Sequence, residues 1–175
     1  DVQVAVVCLG DNRVDRTDLL VAGQLEHPFD QRVGDAGDVQ GVGQQDRRLD
    51  QVERYLRSDM PRVLCLDNNF ATGGQPSEQA FAKVAASGFR SILSLRAAGE
   101  GIDLTKERAL VEKTGLRYFN IPVVSTAPRV EQADEFIRLV KEQSNHPMLI
   151  NCASANRVGA FMMIYRVVEQ GWSEE

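Results

Sequence analysis

From Pro61 to the end of this 175-residue chain, short apolar runs alternate with segments of helical period, and that alternation narrows the possible folds sharply. Arg62-Val63-Leu64-Cys65-Leu66 reads as a first strand and Phe89 to Leu95 as a second. Arg117 to Val124 and Pro147-Met148-Leu149-Ile150-Asn151 follow as a third and a fourth. Between them, Ser77 caps a helix with Phe81, Val84 and Ala85 on one face, stopped by Gly88. A second helix covers Thr105 to Lys113 and ends at Gly115, and Val130, Ala133, Phe136, Ile137 and Val140 mark a third. Arg157 to Glu169 is an apolar helix closed by Gly171. Asp67 to Pro76 is expected to be a loop that turns at Gly73-Gly74, and Arg96 to Asp103 a polar loop. Such an order implies βαβ units with right-handed crossovers. The prediction is an α/β domain of three layers: a mostly parallel central sheet of about four to five strands, flanked by helices.

The first 60 residues have a different character. They contain no Lys and no Ile, whereas the other 115 contain 4 Lys and 6 Ile. They carry 7 basic and 12 acidic residues against 13 of each later, so the whole formal charge of −5 lies in this third. Val2 to Val7 reads as a strand, Val33 to Gly43 as a Gly/Asp-rich loop or disordered stretch, and Arg47 to Arg57 as a helix on Leu49, Val52 and Leu56. Residues 1–60 are therefore expected to be poorly ordered or to lie outside the domain formed by 61–175. Because the chain starts at Asp1 and ends at Ser173-Glu174-Glu175, which reads as a helix start, it is expected to be a piece of a longer reading frame, cut short at its C-terminus.

Chemistry concentrates in the turn after the fourth strand. In open α/β sheets ligands bind at the carboxyl ends of strands, and here that end reads Asn151-Cys152-Ala153-Ser154-Ala155-Asn156-Arg157-Val158-Gly159. Small side chains let backbone N–H groups converge, and the following helix adds its own unpaired donors and positive end. The result is a nest for an anion, built from Ala153, Ser154, Ala155 and Asn156. The same donors are expected to lower the pKa of Cys152, and Arg157 can grip a tetrahedral oxyanion through two parallel hydrogen bonds. Arg96, at the end of the second strand, adds positive potential at the same edge.

Four segments together make residues 61–175 resemble the dual-specificity/tyrosine phosphatase superfamily. They are Ala71-Thr72-Gly73-Gly74-Gln75-Pro76-Ser77, Ile92-Leu93-Ser94-Leu95-Arg96, Asn120-Ile121-Pro122-Val123 with Thr126-Ala127-Pro128, and the loop Cys152 to Gly159. The match is closest to the beta-lactamase-hydrolase-like branch, related to the phosphatase-like domain fused to NAD kinase. The resemblance implies a cysteine-phosphatase-like fold, with Cys152 as the nucleophile of a phosphocysteine intermediate and Arg157 as the holder of the phosphoryl oxygens. It implies no metal and no organic cofactor.

Several positions depart from the family pattern. Four residues separate Cys152 from Arg157 where tyrosine phosphatases have five, Asn151 stands where His is usual, and Ala155 stands where Gly is frequent. If Ala155 must adopt a positive φ, it costs about 1 kcal/mol or more. The general acid is also missing from its usual place, since Val124-Ser125-Thr126-Ala127-Pro128-Arg129 holds no carboxylate. Without a proton for the leaving oxygen, hydrolysis of alkyl phosphates slows by about 10²–10⁴-fold. Glu100 and Asp103, on the loop after the second strand, are the substitutes the sequence offers.

The leading expectation is a cysteine-dependent phosphatase-like hydrolase acting on a phosphorylated small molecule or protein, phosphotyrosine or phosphoserine included. One alternative is a rhodanese-like sulfurtransferase or persulfide carrier, which the four-residue loop suits. The other is a non-catalytic phosphate-binding module. A charge of −5 argues against nucleic acid as the partner, and the longest apolar stretch, Val158 to Tyr165, is too short to cross a membrane. Three cysteines (Cys8, Cys65, Cys152) and two histidines (His27, His146) make neither a disulfide scaffold nor a zinc site. A reducing, cytoplasmic setting is the expectation that follows. Oligomeric state has no signature in the sequence.

Overall fold

The computed structural model describes residues 39–173, with side chains from Gln45 onward. The strand expected over 2–7 and most of the early loop lie outside the described residues. Helix α1 (Val39–Leu56) leads to the hairpin strands β1 (Leu64–Cys65) and β2 (Phe70–Gly73). Then come α2 (Glu78–Ala86), β3 (Ser91–Ser94), α3 (Leu104–Lys113), β4 (Arg117–Asn120) and α4 (Val130–Lys141). A 3₁₀ turn over Gln143–Asn145 leads to β5 (Met148–Asn151) and α5 (Asn156–Gln170). The five strands form one sheet in the order β1-β2-β5-β3-β4, and only β1 runs antiparallel to its neighbour. This is the three-layer, mostly parallel α/β fold that the alternation predicts.

Central parallel strands are covered on both faces and so lose the polar alternation of an exposed sheet. β2, β3 and β5 are buried at every residue. Along β5 the side chains sort by the two-residue period: Met148, Ile150 and then Cys152 join one apolar cluster, and Leu149 joins the other. The first cluster packs under α4 and α5 through Phe136, Leu139, Val140, Val158, Phe161 and Met162. The second packs under α1, α2 and α3 through Leu49, Leu56, Phe81, Val84 and Val111.

Three expectations need correction. Phe70-Ala71-Thr72-Gly73, assigned to a loop by its small residues, is a strand lying between β1 and β5. A Cβ on Gly73 would meet the end of the Met60 side chain, which would have to move aside. The segment Val39 to Gly43, expected to be loop, is helical and extends α1 upstream. Each glycine there costs about 1 kcal/mol in a helix but does not forbid one, and the later turns are anchored by Leu49 and Leu56. Finally, β1 spans two residues rather than five, because Arg62 takes a left-handed φ of 54° and interrupts extended backbone. Residues 49–60, which group by composition with the first segment, contribute Leu49, Leu56 and Met60 to the core.

Candidate active site

β5 ends at Asn151 and delivers Cys152 to the carboxyl edge of the sheet, where the Cys152 N–H donates to Gly73 O at 3.3 Å. The chain then reverses into α5 through Ala155, whose φ of 71° and ψ of −12° are left-handed. That geometry costs a residue with a Cβ roughly 1–2 kcal/mol. The carbonyls of the loop are pulled outward: Gln75 N–H donates to Ala153 O at 3.2 Å, and an Arg62 Nη1 donates to Ser154 O at 3.1 Å and to Asn156 Oδ1 at 3.2 Å. A planar trans peptide points its N–H opposite its C=O. The N–H of Ser154 is therefore turned away from Gln75, while the bridge between Gly74 and Ser154 sets the Ala155 N–H toward Gly73 O. Gly74 lets the two segments approach, since a Cβ there would lie 2.8 Å from Pro61 Cγ and 3.0 Å from Ala153 O.

Arg157, in the first turn of α5, is held rather than free to swing. Its Nη1 donates to Leu95 O at 3.0 Å, Val123 O at 2.6 Å and Glu100 Oε1 at 2.6 Å, and its Nη2 donates to Glu100 Oε2 at 2.6 Å. Glu100 thus takes the end-on fork of the guanidinium. A guanidinium carries five N–H donors, so its side-on fork, Nε–H with the second Nη2–H, remains for an anion. The pKa of Arg157 is raised, first by the Glu100 hydrogen bond and in part by the Cys152 sulfur, which places thiol and guanidinium side by side. Cys152 itself is 1% exposed and joins the apolar cluster that includes Leu95, Val123 and Val158. The thiol is more enclosed than an open strand-end nest suggests, with Arg157 as its charged neighbour.

The two carboxylates expected to substitute as general acid are placed for other work. Arg157, with help from the Ala97 N–H and Arg96, holds the Glu100 pKa down at about 2, so this group is ionised and carries no proton to give. Asp103 caps α3, with Oδ1 accepting from Thr105 N and Lys106 N at 3.0 Å each. Arg96 also differs from its expected role beside the phosphate. It is buried and occupied by Gln75 Oε1 (3.0 Å), Glu100 O (2.7 Å) and the Glu100 carboxylate (2.9 Å). Cys152, Arg157, Glu100 and Arg96 are brought together; Asp103 is not.

Gln75, which the sequence offers as either a supporting donor or a turn residue, acts as a support, joined by residues the sequence reading passed over. Gln75 Nε2 donates to Glu107 Oε2 at 2.5 Å, and Tyr118 OH donates to Glu107 Oε1 at 2.7 Å. Burial and Glu107 push the Tyr118 hydroxyl pKa well above its usual value, so it stays a donor. Asn120 Nδ2 bonds Ser94 O and Arg96 O at 2.9 Å each, fixing the end of β3. Glu107 had a legible signal: it interrupts the apolar stripe of α3 between Leu104 and Val111. Arg62 had none. Asn151, fully buried beside Cys152, has no protein partner for either side-chain atom.

Among the described residues, no cluster of three or more His, Cys, Asp or Glu could hold a metal ion, and no helix is long and apolar enough to cross a membrane. Two surface clefts, about 450 Å³ by Asp134 and Val168 and about 250 Å³ by Arg108 and Asn120, include neither Cys152 nor Arg157.

The chain is similar to several known proteins. The family model described as DSP-PTPase phosphatase fused to NAD+ kinase matches residues 48–175. A curated beta-lactamase hydrolase-like protein of Xylella fastidiosa (strain 9a5c) is 30% identical over 113 residues, which is 62% of this chain and 25% of that protein. The chain therefore spans about a quarter of the length of the curated relatives it matches. Among solved structures, a DUF442 protein of Shewanella putrefaciens CN-32 shares the fold with a TM-score of 0.61 at 23% identity, over 66% of this chain and 76% of that one. TpbA of P. aeruginosa does so with a TM-score of 0.53 at 20% identity, over 63% and 66%.

Proposed function

Because the chain belongs to the family of DSP-PTPase phosphatases fused to NAD+ kinase, we propose that it hydrolyses phosphomonoesters through a phosphocysteine on Cys152. The observation that carries this reading is the fixed guanidinium: Glu100 and two backbone carbonyls set Arg157 beside the sulfur, with one fork left for an oxyanion. The Cys152 thiolate attacks phosphorus in line and the ester oxygen departs. The side-on fork of Arg157 and the Ser154 N–H stabilise the equatorial oxygens, aided by the positive end of α5. Water then attacks phosphorus, the P–S bond breaks, and phosphate leaves with the thiolate restored.

The test is vanadate-sensitive release of phosphate from 4-nitrophenyl phosphate. Cys152→Ser is expected to lower it by at least about 10³-fold. A mass gain of one phosphoryl group on Cys152 in acid-quenched protein is the accompanying result. Turnover that survives in Cys152→Ser rejects the mechanism, and phosphate binding without any turnover leaves a binding module instead.

A further inference from the structure

Among the described residues, every carboxylate in the loops at the carboxyl edge of the sheet already has an occupation. The loops there are 57–63 before β1, 74–77 after β2, 95–103 after β3, 121–129 after β4 and 152–155 after β5. Their carboxylates are Asp59, Glu100 and Asp103. Asp59 binds Lys83 Nζ (2.5 Å) and Ser77 Oγ (3.1 Å), and these and Ser58 hold its pKa below the usual value. Glu100 is ionised on Arg157, and Asp103 caps α3. Below the edge, Glu107 is buried between Tyr118 and Gln75. Beyond the β4–α4 loop, Glu131 is exposed while its neighbour Gln132 turns inward to donate to Pro122 O at 2.7 Å. His146 lies before β5, at the opposite end of that strand from Cys152. None of these described groups is set to hand a proton to an oxygen leaving in line from Cys152.

Resting on the phosphatase reading above, we propose that this chain acts only on phosphoryl groups carried by acidic oxygens, namely aryl phosphates and phosphoanhydrides, and not on alkyl phosphates such as phosphoserine. In the first step Sγ–P forms, P–O breaks, and the electron pair stays on the departing oxygen, which must be stable as an anion. A tyrosyl oxygen, with a pKa of about 10, or a phosphate oxygen, with a second pKa of about 6, meets that demand. An aliphatic alcohol, nearer the ~15.7 of water, does not. The second step is affected in the same way, because none of the described carboxylates is placed to take the proton of the attacking water. Phosphocysteine therefore accumulates wherever its formation is the faster step, and its hydrolysis sets kcat for substrates with acidic leaving groups.

The experiment measures kcat and kcat/KM for the purified chain on phenyl phosphates with leaving phenols of graded acidity, with a phosphotyrosine peptide, a phosphoserine peptide and inorganic pyrophosphate alongside. The expected result is kcat/KM falling steadily as the leaving-group pKa rises, with kcat flat across the acidic phenols and a burst of about one phenolate per enzyme. Phosphoserine should fall about 10²–10⁴-fold below phosphotyrosine. The pyrophosphate and phosphotyrosine arms identify which acidic oxygen is preferred, and good turnover of either supports the proposal. The series is repeated with Glu100→Gln, Asp103→Asn and Glu131→Gln. Each should shift all substrates together and leave the slope unchanged. A flat series, comparable rates on phosphoserine, or a slope that steepens in any one variant overturns this inference while leaving the phosphocysteine mechanism intact. No turnover and no phosphocysteine on any aryl substrate overturns both.

Discussion

The two faces of the sheet treat its carboxyl edge differently. Under α4 and α5 the apolar layer runs unbroken from Phe70 and Met148 to Leu95, Ile121 and Cys152. Under α1, α2 and α3 it stops one pleat earlier. The row Ala71, Leu149, Ile92 and Tyr118 is apolar but for the tyrosine hydroxyl, and the next row, in register, is Gly73, Asn151, Ser94 and Asn120. One face gives the sulfur an apolar seat. The other supplies polar groups that fix charge: Tyr118 and Gln75 on Glu107, then Gln75 on Arg96, Arg96 on Glu100 and Glu100 on Arg157. Stability and anion binding should therefore respond separately to substitutions on the two faces.

The largest effect expected is on the apolar face. Phe136, fully buried and edge-to-face with Phe161 at 5.4 Å, makes no contribution to the charge chain. Phe136→Ala should cost about 3–5 kcal/mol of unfolding free energy by denaturant titration. The vanadate inhibition constant of the folded fraction should stay as in the parent. A weakened constant would show that the faces are not independent.

Next is the joint of the chain. Glu100→Gln leaves Arg157 and Arg96 without their shared anion, and because Glu100 is only partly buried the cost is at most about 3 kcal/mol, the lower end for buried pairs. If all of it fell on anion binding, vanadate affinity would drop by about 10²-fold. The pair also has a pH signature. Because the Glu100 pKa is depressed from 4.5 to about 2, its stabilisation is present above pH 4.5 and is lost as pH falls toward 2. The parent should lose that increment over this window by acid titration, and Glu100→Gln should not.

A smaller effect reaches the loop from farther away. Glu107→Leu strands the Tyr118 hydroxyl and the Gln75 amide, at a cost of about 1–3 kcal/mol. Unlike Phe136→Ala it should also raise the phosphate inhibition constant several-fold, because Gln75 is then released from holding Arg96. An unchanged constant would reduce Glu107 to a packing role.

The legibility of the sequence follows the same division. β3, β5 and their helices could be read because strands buried on both faces must be apolar, and the helices show a 3.6-residue stripe. β2 could not, because Ala71, Thr72 and Gly73 carry no apolar run, and Met60 occupies the space beside Gly73 that a larger side chain would fill. Cys152 and Arg157 were legible because they sit on one strand–loop–helix connection. The work of Glu100 was not, since one carboxylate serves equally well as acid or as clamp. What decides is the approach of a residue 57 positions away in sequence.

Ala155 offers the finest test, because it sits where the two faces meet. At φ 71° its Cβ costs roughly 1–2 kcal/mol, and glycine would remove that cost. Glycine also gives the unfolded chain more freedom, worth about 0.5–1 kcal/mol in the opposite sense. The net expectation for Ala155→Gly is a gain of about 0.5 kcal/mol in denaturant midpoint analysis. Since the loop already holds the left-handed turn, its N–H groups keep their direction and kcat/KM should hardly move. A rise in kcat/KM beyond the stability gain would mean that the alanine keeps the nest partly closed, placing its control in the backbone turn rather than in the chain from Glu107 to Arg157.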